Sequence, residues 1–201
     1  MSYKEYQNAR DAAWQLLLDC GVDRMPVDLN PICKRLGVRV FRYQSVKELP
    51  EAAGTTDGMT FFREGGPVIL YDQSKSPERI RFTVAHELGH LILGHVSPGQ
   101  RTTMNREPTP EDSPAETAAN QFAARLLAPA CVLWGLDLHT AEEIAGLCRI
   151  SKQAAQFRAE RMAILYERDK FLSSPLEQQV YHQFLPFIQE HHLRRQEEQS
   201  D

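Results

Sequence analysis

Close cysteine pairs are missing from this chain. Its four cysteines, Cys20, Cys33, Cys131 and Cys148, are widely spaced and form no C-x-x-C motif. That excludes a zinc ribbon and a thioredoxin-type redox motif. A basic surplus is missing too: 23 Lys and Arg stand against 27 Asp and Glu, for a formal net charge of −4. No global positive field draws the chain to nucleic acid. Long apolar runs do not occur, and the leucines at 16–18 are far too few to span a bilayer. The opening "MSYKEYQNAR" has no apolar stretch behind a basic start, so it does not read as a secretory signal. The expectation is a cytoplasmic chain with reduced thiols and no membrane association. No internal repeat and no low-complexity segment is visible.

What is there is ordinary bulk with sharp local signals. The chain has 201 residues, 42% hydrophobic and 25% charged, enough to bury a core without staples. Residues 3–20 read as an amphipathic helix, with Ala9, Ala12, Ala13, Leu16 and Leu17 at helical spacing and Gly21 to end it. A second short helix fits Leu29 to Leu36, before Gly37. "VRVFRY", from Val38 to Tyr43, alternates as a half-buried strand does. "GMTFF" and "PVILYD" are two more strand candidates, separated by the turn-like "REGG".

Ser76-Pro77-Glu78 is a helix start: Ser caps, Pro suits the first turn and Glu complements the positive helix end. That helix is predicted to run to Leu93 and close near Gly94. "SPGQRTTMNREPTPEDSP" has four prolines and no apolar face, so it reads as a loop. Ser113-Pro114 opens another helix, "AETAANQFAARLLA", which Pro129 terminates. "TAEEIAGLCRISKQAAQFRAERM" reads as two short helices with a break at 149–151. Residues 171–201 hold one more helix, with Pro186 inside it. They end in a polar tail, "RRQEEQSD", expected to be disordered.

One stretch carries chemistry. His86-Glu87-Leu88-Gly89-His90 has the pattern H-E-x-x-H. Residues four apart share a helix face, so two imidazoles can aim at one metal ion. Glu87 is offset around the helix and can reach a water instead, as general base. With seven His and seventeen Glu in the chain, random order gives roughly 0.02 such matches. The flanking Phe82, Val84, Ala85, Leu88, Leu91, Ile92 and Leu93 predict a buried helix, whose polar side chains need partners. The bland reading is a pair of hydrogen-bonded core histidines.

A catalytic zinc needs a third protein ligand. His95 does not supply it by pattern: H-E-x-x-H-x-x-G-x-x-H needs Gly at 93 and His at 96, where Leu93 and Val96 stand. His95 is expected at the helix exit. Glu116 is the better candidate, with Asn120 four residues on to hydrogen-bond a ligand histidine. Ser113 to Glu116 is also a capping box, which offers Glu116 a plainer role. Glu111 and Asp112 are neighbouring alternatives.

"RFTVAHELGHLILGH" followed by "ExxxNQFAARLLAP" resembles the ImmA/IrrE family of metallo-endopeptidases. The likeness covers residues from about 5 to 165 and includes "PVDLNPICKRLGVRV". It implies an α+β fold: a mainly helical, zincin-like metallopeptidase core with a small β-sheet over 1–135. A helical, helix-turn-helix-like unit over 136–170 and a C-terminal helix with polar tail over 171–201 would follow. It implies His86, His90 and Glu116 as ligands of one Zn2+, with Mn2+ or another divalent metal as substitute, and Glu87 as catalytic acid/base. The substrate would lie as an extended strand on an edge of the sheet, with "GMTFF" and "PVILYD" as candidate edges. That substrate would be a helix-turn-helix repressor of the same operon or mobile element, cut at one or a few bonds. His139 and Tyr71 are the candidates for stabilising transition-state charge.

The segment after Thr140 resembles a helix-turn-helix, with Arg149 where glycine is usual. From His139 to Lys170 it carries six basic and five acidic side chains, which argues against DNA binding. The alternative to an endopeptidase is a catalytically silent metal-binding module that regulates by holding a repressor or other partner. An intact Glu87 argues against that alternative, because a structural site has no use for the base.

Overall fold

The computed structural model describes residues 9–46, 56–97 and 114–198. The fold is α+β. Its elements are α1 (Ala9–Asp19), α2 (Leu29–Arg35), β1 (Arg39–Arg42), β2 (Gly58–Arg63), β3 (Gly66–Tyr71), α3 (Pro77–Ile92), α4 (Pro114–Leu127), α5 (Ala130–Gly135), α6 (Ala141–Cys148), α7 (Lys152–Glu167) and α8 (Pro175–Glu198). The chain divides into two compact units. One comprises Met1–Ala13 with Leu29–Ala123, the other Trp14–Asp28 with Ala124–Asp201. The proline-rich loop, the start of the first helix and Ser113 with its capping role lie wholly or largely outside the described residues.

The first unit holds the sheet. Its order is β1-β3-β2, with β1 parallel and β2 antiparallel to β3. This corrects one expectation: "PVILYD" is not an edge. β3 is the middle strand, and Val68, Ile69 and Leu70 are all buried. Such a continuous apolar run needs cover on both faces, which a central position provides. The edges are β1 and β2.

Side chains of β2 alternate between two faces. Gly58 and Thr60 turn toward α3: a Cβ on Gly58 would lie 2.3 Å from Thr83 Cγ2. Glycine at 58 therefore lets β2 and α3 touch. Buried Asp57 locks the start of the strand to α3, taking Arg79 Nε at 2.7 Å and Nη2 at 2.6 Å, with Lys75 Nζ at 3.3 Å. Met59 and Phe61 turn the other way and pack with Tyr43, Val68 and Leu70.

α3 begins as its sequence predicts. Ser76 accepts a hydrogen bond from the Arg79 N–H at 3.2 Å, and Pro77 opens the first turn. Its end is a Schellman motif. Gly94 takes φ +75°, its N–H reaches Leu91 O at 3.2 Å, and the His95 N–H reaches His90 O at 2.9 Å.

The second unit is helical. α5 goes unread in the sequence; Pro129 ends α4 and stands directly before α5, a proline acting as stop and start together. α6 is capped by a reciprocal Thr140–Glu143 box, and Ser151 caps α7. Between them Arg149 takes φ +52°, ψ +53°, the left-handed conformation that glycine adopts without cost. α8 corrects the expected disordered tail: it continues through Arg194–Glu198. These are good helix formers, and Arg195 ion-pairs with Glu143 of α6 at 3.6 Å. Inward-facing Val180, Phe184 and Ile188, four residues apart, hold the helix to its unit. All four cysteines are free thiols. Among the described residues no helix is long and apolar enough to cross a membrane.

Candidate metal centre

α3 and α4 approach closely at the H-E-x-x-H motif. A Cβ on Gly89 would stand 3.1–3.2 Å from Phe122 side-chain atoms and the Ala119 backbone. Gly89 and Ala119 thus let the two helices close until their polar faces meet. His86 and His90, one turn apart on α3, are buried and point toward Glu116 on α4. Glu116 Oε2 lies 3.2 Å from His86 Nε2, and Oε1 lies 3.2 Å from His90 Nε2. The two Nε2 atoms are 2.9 Å apart. These three residues form a metal-capable group, with donor atoms all within 4.8 Å of one another.

The outer nitrogens decide what sits inside. His86 Nδ1 meets Asn120 Oδ1 at 2.9 Å, so Nδ1 carries a hydrogen and donates it. A neutral His86 then presents a bare lone pair at Nε2. His90 Nδ1 meets His95 Nδ1 at 3.1 Å, one nitrogen donating to the other, so the second ring is also held from behind. Two nitrogen lone pairs and a carboxylate crowded this closely repel unless a cation lies between them. A proton can take that place, and so can a metal. Zinc bonds of the usual length would hold tetrahedral ligand atoms about 3.3 Å apart. The observed spacings of 2.9–3.2 Å fit that demand. Where protons rather than a metal fill the gap, hydrogen bonding from His86, then His90, holds the Glu116 carboxyl well below the usual carboxylate range. Its side chain keeps 27% exposure, the most open of the three donors.

Glu87, next to His86 in the chain, is fully buried. Thr60 on β2 donates its hydroxyl to Glu87 Oε2 at 2.6 Å. The bond fixes the carboxylate of Glu87 against the sheet while the imidazoles face α4. Thr60 went unnoticed in the sequence. Its signal was one polar residue at an inward position of an otherwise apolar strand, "GMTFF". His95 is likewise absent from the donor group but is not idle. It is the residue after the helix-ending glycine, which a Schellman motif brings back over the third residue from the helix end, here His90.

The two candidate stabilisers have other partners. Tyr71 ends β3, and its hydroxyl meets Arg42 Nε at 3.4 Å. His139 belongs to the second unit, paired with Asp137 at 2.9 Å and stacked on Tyr166 at 4.5 Å. Glu111 and Asp112 lie outside the described residues.

An H-E-x-x-H helix packed on a helix that offers a glutamate is an arrangement of the metallopeptidase type. The family described as IrrE N-terminal-like domain, Peptidase_M78, matches residues 33–160, and the chain belongs to it. The match takes in both edges of the sheet, all of α3 and α4, and the α6–α7 pair as far as residue 160. No curated protein matches the chain.

Proposed function

We propose that the protein is a zinc-dependent endopeptidase that cuts one or a few peptide bonds in a specific cytoplasmic protein, a helix-turn-helix repressor of the same operon or mobile element. The observation that carries this reading is the convergence of His86, His90 and Glu116, with Glu87 next to His86 in the chain and held by Thr60 at 2.6 Å. A divalent cation held by His86, His90 and Glu116 would polarise a carbonyl oxygen and lower the pKa of a water. The chain's own residues do the rest. The Glu87 carboxylate takes the water's proton as oxygen attacks the carbonyl carbon, then hands it to the leaving nitrogen as the C–N bond breaks. Asn120 holds His86 in one tautomer, and His95 holds the orientation of His90. An extended substrate would pair by main-chain hydrogen bonds with β2, an edge strand of the described sheet that carries Thr60.

The test is co-expression of the chain with small helix-turn-helix proteins encoded beside it, comparing wild type with Glu87→Gln. Wild type is expected to yield discrete fragments of one partner. Glu87→Gln is expected to slow cleavage by about 100- to 10,000-fold with metal content unchanged. Equal cleavage by both forms would sink the mechanism. Partner binding without fragments at any zinc loading would favour a regulator that works by binding alone.

A further inference from the structure

Among the described residues the exposed large apolar side chains are Phe41, Phe157, Ile164 and Leu193. Two of these four share α7. That helix is held to its unit along a narrow seam, with Ala155, Arg158 and Met162 buried. Its opposite side is open: Phe157 is 63% exposed and Ile164 36%. Seven residues apart, they stand within about 20° of each other around the helix axis and form one ridge. Charge divides along that ridge. Arg161 and the C-cap Arg168, each four residues on from a ridge residue, flank it on one side. Glu160 and Glu167, each three residues on, flank it on the other. All four are exposed. Within the helix no opposite charge stands three or four residues from any of them, so α7 does not answer its own flanks by the usual pairing. Glu160 accepts from Gln156 at 3.0 Å, and neither arginine has an ion pair among the described residues.

We propose that this face is covered by a second copy of this chain, with α7 lying parallel to α7 of that copy. Phe157 then meets Phe157, and Ile164 meets Ile164. A two-fold axis parallel to the helices sets each basic flank against the other copy's acidic flank, Arg161 near Glu160 and Arg168 near Glu167. An antiparallel pair would set acid on acid and base on base, so charge selects the parallel one. A nucleic acid suits the face less well, because the acidic flank would stand against phosphates. The apolar ridge supplies affinity by leaving water, and the flanks fix direction.

Sedimentation equilibrium of the zinc-loaded full chain, run over a range of protein concentrations, tests this. Wild type is expected to show a reversible monomer–dimer equilibrium. Phe157→Ser, at an exposed position that leaves helix content by circular dichroism and zinc content unchanged, is expected to weaken it at least about tenfold. Two charge variants fix the direction. Arg161→Glu with Arg168→Glu makes both flanks acidic, and Glu160→Lys with Glu167→Lys makes both basic. Each alone is expected to dimerise about tenfold more weakly than wild type, and an equimolar mixture of the two is expected to recover wild-type affinity as a heterodimer. A wild type that stays monomeric at every concentration would leave the ridge to another protein or another segment and overturn the proposal. A dimer indifferent to Phe157→Ser would place the contact elsewhere and overturn it too. Charge variants that dimerise alone as well as wild type does would point to antiparallel pairing or a different surface, and the parallel dimer would fall.

Discussion

In the unit that carries the metal centre, buried charge is answered. Asp57 has Arg79 and Lys75, Glu87 has Thr60, and His86 and His90 have Asn120, His95 and Glu116. In the helical unit, Arg158 of α7 is 5% exposed, and its Nε and Nη2 meet no hydrogen-bond partner among the described residues. Burial, with Arg125 nearby, pushes its guanidinium down to about 9. Its other neighbours include the thiols of Cys131 and Cys148. The thiol of Cys131 is itself pushed up to about 12, by burial first and then by Glu177. Both units thus take charged groups out of water. Only in the first does the arrangement return something, because crowded donors that repel one another are donors primed for a cation. In the second, the desolvation cost of Arg158 stands without an evident return.

The comparison can be broken in four ways, from the largest effect to the smallest. Glu116→Ala removes one of three donors, so zinc affinity should fall by more than about 100-fold, beyond the loss expected for a supporting residue. Competition with a chromophoric chelator measures it; retained affinity would mean that Glu116 is not a ligand. Asn120→Ala and His95→Ala should each cost about 10- to 100-fold in zinc affinity while the fold persists. A drop for Asn120 alone would reduce His95 to a helix-end contact.

Arg158→Met should leave zinc binding untouched and stabilise the chain by about 1–3 kcal/mol, since a similar volume is kept and an unanswered charge removed. Urea unfolding followed by circular dichroism reports the change. A lower midpoint would reveal that the guanidinium has a structural task and that the two units are alike after all. Arg149→Gly should add at most about 1 kcal/mol, because glycine adopts the left-handed conformation freely but gives the unfolded chain more entropy. The same unfolding experiment, run beside wild type, is precise enough to detect half of that.

Much of the fold was legible because the signals are local. Ser76-Pro77 opened α3, Gly21 and Gly37 followed the first two helices, and "REGG" marked the hairpin. Less was legible where short runs resemble one another. "GMTFF" and "PVILY" both read as strands, but which one lies in the middle depends on what covers each face. The tail was misread for a related reason. Low hydrophobicity suggested disorder at 194–198, whereas helix formers continuing a packed α8 need little apolar surface of their own.

By itself the sequence determined that two imidazoles share a helix face, with a glutamate offset between them. That follows from 3.6 residues per turn and needs no other element. It also carried, unread, the placement of His95 over His90, since a glycine after the helix brings the next residue back. The tertiary structure alone decided what surrounds that face. Gly89 against Ala119 sets how near Glu116 and Asn120 come, and Gly58 against Thr83 sets Thr60 under Glu87. Periodicity orients side chains about one axis. Convergence of groups from three elements is fixed by packing between those elements, and no stretch of chain holds that information alone.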